Sequence, residues 1–335
     1  MTSPETDAAS TGPPAVATKS FWRTWVYPRA GEGGWVGGLR RMVVHFIVIY
    51  VCVVSLVVFL QRKLIYHPSR TGRLLAADAK IRKGAVHDVA VTTHDGLTLH
   101  GWHFLPGGIV CSSREQCDEH LKRAKWLVLY FHGNAGDRKM REHDCDIFTR
   151  NGADVFHFDY RGYGDNPGSP NERDFIEDAK TIWKYAVEER GVPASKIVVF
   201  GESLGGGVAT QLAAHACETG KTPAALILTG TFSSLADAGA HHYWWIPVRW
   251  LLWDRYDSVS YAPRVTCPVL QFHGRKDRIV PVELGERLHA AFPETSGSGV
   301  AKQWVEFARN GHNDVSDIEL GRNIRALFQR IETAR

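Results

Sequence analysis

The chain has no CxxC pair among its six cysteines, no H-E-x-x-H, and no glycine cluster ending in Gly-Lys-Ser/Thr. Cys52, Cys111, Cys117, Cys145, Cys217 and Cys267 are spread too widely for a zinc site or a dense disulfide framework. Free thiols are expected. Cys111 and Cys117 share one polar insertion and could bridge only in an oxidising compartment. The missing Gly-Lys ending excludes a phosphate loop, and G-x-G-x-x-G is absent from the main glycine cluster. No metal and no cofactor is expected. A large charge surplus is also missing: 40 basic against 36 acidic side chains leave +4 over 335 residues, too little for a nucleic-acid footprint. Acidic side chains are absent from Met42 to Leu60.

That last absence marks the first feature present. The run MVVHFIVIYVCVVSLVVFL (42–60) has Arg40 and Arg41 before it and Arg62 and Lys63 after it. As a helix it is ~28 Å long, close to the hydrocarbon thickness of a bilayer. It starts late and ends on bulky Phe59, Leu60 and Gln61, unlike a cleaved signal peptide. A single-pass membrane helix over 42–60 is expected. Positive flanks on both sides leave its orientation open. Residues 1–20, rich in Ser, Thr, Pro and Ala, are expected to be disordered. Residues 21–41, with Trp22, Trp25, Tyr27 and Trp35 among arginines, read as an interfacial belt or a linker. Residues 61–85 read as a basic linker.

From residue 86 the pattern repeats. VHDVAVTT (86–93) and LTLHGWHF (97–104) flank His94-Asp95-Gly96, a hairpin signal. Strand-like runs follow at 126–133, 154–160, 196–203, 224–230, 267–274 and 302–308. Helix-like stretches fall at about 138–150, 172–190, 204–218, 283–292 and 316–333. Strands alternating with helices predict an α/β domain over 86–335, with a mostly parallel central sheet covered on both faces. Residues 231–266 are long for a crossover and rich in aromatics. They predict a helical cap in which Trp244, Trp245, Trp250 and Trp253 face substrate or membrane. The role of the polar insertion 107–125 does not follow from its residues.

Gly201-Glu202-Ser203-Leu204-Gly205 fits G-x-S-x-G, between the strand-like KIVVF and a helix pattern. This context makes Ser203 a nucleophile raised on a sharp turn, at a helix start whose dipole favours negative charge. A serine hydroxyl needs a base to take its proton. Asp277, in GRKDRIVP, and His312, in RNGHND, follow in the order this arrangement requires, each after a strand. Asp254, Asp257 and Asp314 are weaker candidates for the acid. His312 would act as general base and acid, with Asp277 orienting it. The backbone amides of Asn134, in HGNAG, and Leu204 are the expected oxyanion donors. His132 is expected to order its loop.

With these motifs in order, YFHGNAG, FDYRGYGDNPG, FGESLGGG, GRKDRIVP and NGHND, the chain resembles membrane-anchored α/β-hydrolase-domain proteins over roughly 45–335. The single-pass branch, with a basic linker like LIYHPSR after its anchor, is the most similar. The resemblance implies a Ser203–Asp277–His312 triad acting on carboxylic esters or thioesters, often lipid-derived. Lysophospholipid lipases, monoacylglycerol lipases and acyl-protein thioesterases are related branches. Serine hydrolase activity on lipid-like or acylated membrane-proximal substrates is therefore expected. A peptidase or acyltransferase on the same triad, and a non-catalytic scaffold, are the alternatives. Substrate identity and oligomeric state stay open.

Overall fold

The computed structural model describes residues 34–80, 85–315 and 317–334. The expectations for residues 1–20 and for Trp22, Trp25 and Tyr27 lie outside the described residues. The chain divides at Phe59–Leu60 into two units.

Helix α1 (Trp35–Ile65) is continuous and extends beyond the apolar run at both ends. At 1.5 Å per residue it is ~46 Å long, more than a hydrocarbon core needs. Its most apolar window is not buried at all by protein, so Phe46, Ile49 and Leu56 stand exposed. Arg62 and Lys63 close its last turn, where cations suit the helix dipole.

The stretch expected as a linker is partly docked. Residues 61–65 belong to α1, and Tyr66 is buried. His67–Pro68 (β1) pairs in parallel with Ala135–Gly136 (β5).

The main sheet contains β2 (Val86–Thr92), β3 (Thr98–Phe104), β4 (Trp126–Phe131), β6 (Ala153–Phe158), β7 (Ile197–Glu202), β8 (Ala225–Thr229), β9 (Val269–Gly274) and β10 (Gln303–Phe307). Its order is β10-β9-β8-β7-β4-β6-β3-β2. β3 is antiparallel to both its neighbours, and every other pair is parallel. The Asp-Gly signal holds: Gly96 has φ 84°, and Thr93 N–H donates to Leu97 O at 2.8 Å to close the β2–β3 hairpin.

Period-two alternation divides the strands between two cores. Leu127, Leu129 and Phe131 of β4 face one cluster; Trp126, Val128 and Tyr130 face the other. The first core is covered by α4 (Glu172–Lys184) and α5 (Leu204–Glu218), the second by α3 (Glu142–Arg150) and α10 (Asp317–Thr333). Double burial explains why these strands are apolar along their whole length.

The insertion 107–125 contains an unexpected helix, α2 (Arg114–Arg123), capped by Ser113, whose hydroxyl accepts Gln116 N–H. Only Cys117 and Leu121 of α2 are buried, too few for a periodic signal. Cys111 and Cys117 are free thiols packed with Leu105. Residues 231–266 hold three short helices, α6 (Leu235–His242), α7 (Val248–Leu251) and α8 (Ser258–Tyr261). α9 (Val282–Ala291) precedes β10.

One buried cation fixes the loops above β4 and β6. Arg138 is fully buried; its Nη1 donates to Asp159 at 2.5 Å and Asp165 at 2.6 Å, and its Nη2 to Leu74 O at 2.8 Å. Removing one partner of such a cluster strands the other charges without water. Arg138→Ala is therefore expected to cost ~3–5 kcal/mol in urea unfolding. A loss below 1 kcal/mol would show that the cluster relaxes freely.

Candidate active site

β7 ends on Gly201-Glu202, and α5 begins at Leu204, so the chain must reverse within Ser203. Ser203 takes φ 52°, ψ −115°, a conformation costing a non-glycine residue ~1–3 kcal/mol. Tyr256 is the other described non-glycine residue at positive φ. Bonds to the end of β8 hold the turn: Ser203 N–H donates to Thr229 O at 2.9 Å, and Thr231 Oγ1–H donates to Ser203 O at 2.8 Å. The flanking glycines allow the approach. A Cβ on Gly201 would lie 2.5 Å from Gly205 O, and one on Gly205 would overlap Phe131 O.

Asp277 lies in the turn after β9. Its Oδ1 accepts the N–H groups of Ile279 and Val280, both at 2.8 Å, and its Oδ2 accepts His312 Nδ1–H at 2.6 Å. Burial pushes this carboxyl up. The neighbouring imidazoles of His273 and His312 and the Val280 amide outweigh burial and hold it well below its ordinary value. Asp277 is thus ionised at neutral pH. A carboxylate only accepts, so the proton of His312 sits on Nδ1 and Nε2 carries the lone pair. Asp254 instead pairs with Arg62 at 2.9 Å, and Asp314 accepts Gly311 N–H at 2.5 Å.

Ser203 and His312 line one cavity of about 600 Å³. The His312 ring packs over the end of β8, with Cε1 3.2 Å from where a Gly230 Cβ would be. Gly133 and Asn134 line the same cavity. Asn134 is held by its other groups. Its carbonyl accepts His67 N–H at 2.9 Å and Tyr163 O–H at 2.8 Å, and its Nδ2 donates to Ile65 O at 2.9 Å. His132 is fully buried, its pKa pushed down to about 3 by burial and by Arg141, and its Nδ1–H donates to Gly133 O at 2.7 Å. It is a neutral loop-ordering residue.

The four cap tryptophans do not line the cavity. Trp250 is 89 % exposed and Trp244 83 %, with Trp253 and Trp245 about half exposed, so no pocket wall surrounds these rings. Ile279, whose carbonyl accepts His242 Nε2–H at 2.8 Å, does line it.

Several lining residues escaped the sequence reading. Glu202, the variable position of G-x-S-x-G, accepts Arg141 Nε–H at 3.2 Å and Tyr130 O–H at 3.1 Å, all three on the cavity wall. Phe148, Leu320 and Ile324 make an apolar side. His273, beneath Asp277, donates Nε2–H to Val280 O at 2.9 Å. Only a strand-end position marked it in the sequence. Among the described residues two groups have metal-ligand chemistry, His87–Cys111–Cys117 and His94–Asp95–Asp178. Neither lines this cavity, and Asp95 and Asp178 are bound by Arg161 at 2.9 and 2.6 Å.

Residues 122–254 match the family model described as serine aminopeptidase, S33, of the Hydrolase_4 group. An uncharacterized protein of Mycobacterium tuberculosis is 40 % identical over 255 residues, covering 76 % of this chain and 81 % of that protein. Lysophosphatidylserine lipase ABHD12 of Danio rerio is 28 % identical over 306 residues, covering 84 % of this chain and 80 % of that one. The fold is shared with the Pyrococcus furiosus esterase Pf2001, at TM-score 0.54 and 20 % identity over 79 % of this chain and 98 % of that one.

The elbow is tight enough to be tested by one methyl group. Gly205→Ala is expected to cost ~1–3 kcal/mol through overpacking, read as a lower Tm. An unchanged Tm would mean that α5 can shift away from β4.

Proposed function

Because this chain belongs to the α/β-hydrolase family, with lysophosphatidylserine lipases among its homologues, we propose that it is a serine hydrolase of carboxylic esters or thioesters, with Ser203, Asp277 and His312 as its triad. The observation that carries the proposal is the 2.6 Å bond to a buried, ionised Asp277 from Nδ1 of His312, which lines the same cavity as Ser203. That bond leaves His312 Nε2 as acceptor for the Ser203 proton. Ser203 Oγ attacks the substrate carbonyl carbon, and its proton passes to His312. The tetrahedral oxyanion collapses as His312 protonates the leaving alcohol or thiol, leaving an acyl-Ser203 ester. Water, deprotonated by His312, then releases the acid and restores the serine.

The main-chain N–H groups of Asn134 and Leu204 are the proposed oxyanion donors. Among the described residues neither is taken by a protein acceptor. The clamp on the Asn134 carbonyl and side chain pre-orients its amide, as oxyanion stabilisation requires.

The wall of the cavity supports an amphipathic substrate. Phe148, Leu320 and Ile324 suit an acyl chain; Arg141 and His143 suit a polar head. With α1 read as a single-pass anchor, 42–60 in the bilayer and the hydrolase domain over 86–335, a lysophospholipid-like monoacyl ester is the favoured substrate class.

Full-length protein in detergent should be labelled by a fluorophosphonate probe, and Ser203→Ala should not be. An unlabelled wild type would overturn the proposal. Asp277→Asn, which keeps the shape but removes the charge that holds the tautomer, should lower turnover of a lysophospholipid by ~10⁴-fold. A drop of less than tenfold would remove Asp277 from the triad.

A further inference from the structure

Residues 243–253 turn a dense set of aromatic rings to solvent. Trp244 and Trp250 are more than four-fifths exposed, with Tyr243, Trp245 and Trp253 beside them. Monomeric soluble proteins rarely leave so large an apolar patch open. Indole and phenol rings have an apolar body and a polar edge, which suits a boundary between water and hydrocarbon better than either medium.

The same stretch is bonded to the residues that directly follow the apolar run. Gln61 Nε2–H donates to Leu251 O at 3.5 Å, and Trp253 N–H donates to Gln61 Oε1 at 2.8 Å. Arg62 grips Asp254 through Nε at 2.9 Å and Nη2 at 3.1 Å, with its guanidinium 5.8 Å from the Trp253 ring. Leu60 is the last residue of the run. Gln61 and Arg62 follow it at only ~1.5 Å of helix rise each, so chain connectivity keeps them at the membrane boundary. Leu251, Trp253 and Asp254 share that depth because they are bonded to them.

Granted the membrane anchor proposed above, we infer that the cap segment Tyr243–Trp253 is a second membrane contact that seats on the phospholipid surface, with Trp244 and Trp250 in the headgroup layer. Arg249 sits in the same segment; its Nε–H donates to Asp237 at 2.7 Å, while its side chain stays 62 % exposed as a cation that lipid phosphates can reach. The seat is linked to the cavity. His242, one residue before the segment, donates Nε2–H to Ile279 O at 2.8 Å, and Ile279 lines the cavity with Ser203 and His312. The cap segment and the cavity wall are thus joined through one hydrogen bond.

The test uses full-length protein reconstituted in phosphatidylcholine vesicles made with acyl-chain-brominated lipid, which quenches indole emission at contact range. The wild type has 11 tryptophans. It should lose more emission than Trp244→Ser/Trp250→Ser, by an amount matching two rings. Hydrolysis of a lysophospholipid in the vesicles should fall roughly tenfold in the double variant, with turnover of a water-soluble p-nitrophenyl ester unchanged. Equal quenching of both proteins overturns the inference. So does an equal fall on both substrates, which would make the rings part of the substrate site. Flotation after alkaline carbonate extraction reports the anchor alone. Protein that fails to float sinks the anchor; protein that floats with equal quenching sinks only the cap seat.

Discussion

The bend at Ser203 is a backbone conformation that no isolated chain would choose. It persists because Thr229 O takes the serine amide and Thr231 bonds the serine carbonyl, both from the neighbouring strand end. Those two bonds require β8 beside β7, and β8 is held there by residues buried on both faces of the sheet. The strained serine therefore depends on the whole parallel core. Gly230, one residue past Thr229, lies under the His312 ring, so the strand that holds the serine also seats the histidine.

Charge at this end of the sheet is organised around buried carboxylates and the donors they share. Asp277 collects His312 and two amides, and Asp159 and Asp165 share buried Arg138. A buried carboxylate is tolerable only with such company. The result is a pair of stiff loops, one carrying the imidazole and the other carrying Asn134. Stiffness suits the oxyanion stabilisation proposed for this site, which works best without reorganisation.

Much of this was legible in the residues. IVVF and ALIL announced strands buried on both sides, and Asp95-Gly96 announced the hairpin. G-x-S-x-G with a later Asp and His located the loops that meet. Side chains set by tertiary geometry were not legible. Glu202 and Arg141 are joined only because β7 and the start of α3 converge. α2 was hidden because its exposed face is polar and only two of its side chains are buried. The four tryptophans were visible as a cluster, but composition could not tell a ring facing the cavity from one facing outward. Their exposure, with Trp250 the most open, is a property of how the short cap helices lie.

The segment just after the apolar run is more than a tether. Ile65 O receives the Asn134 side chain, His67 N–H donates to the Asn134 carbonyl, β1 pairs with β5, and Thr71 N–H reaches Gly164 O at 2.9 Å. Ile65 and His67 thus supply two of the hydrogen bonds that hold Asn134, beside that from Tyr163. A soluble form cut close to the domain at residue 86 would lose those braces, whereas one beginning at residue 60 would keep them. If α1 is the membrane anchor proposed above, lateral force arriving through it would be felt first at that loop, a mechanical link between anchor and site.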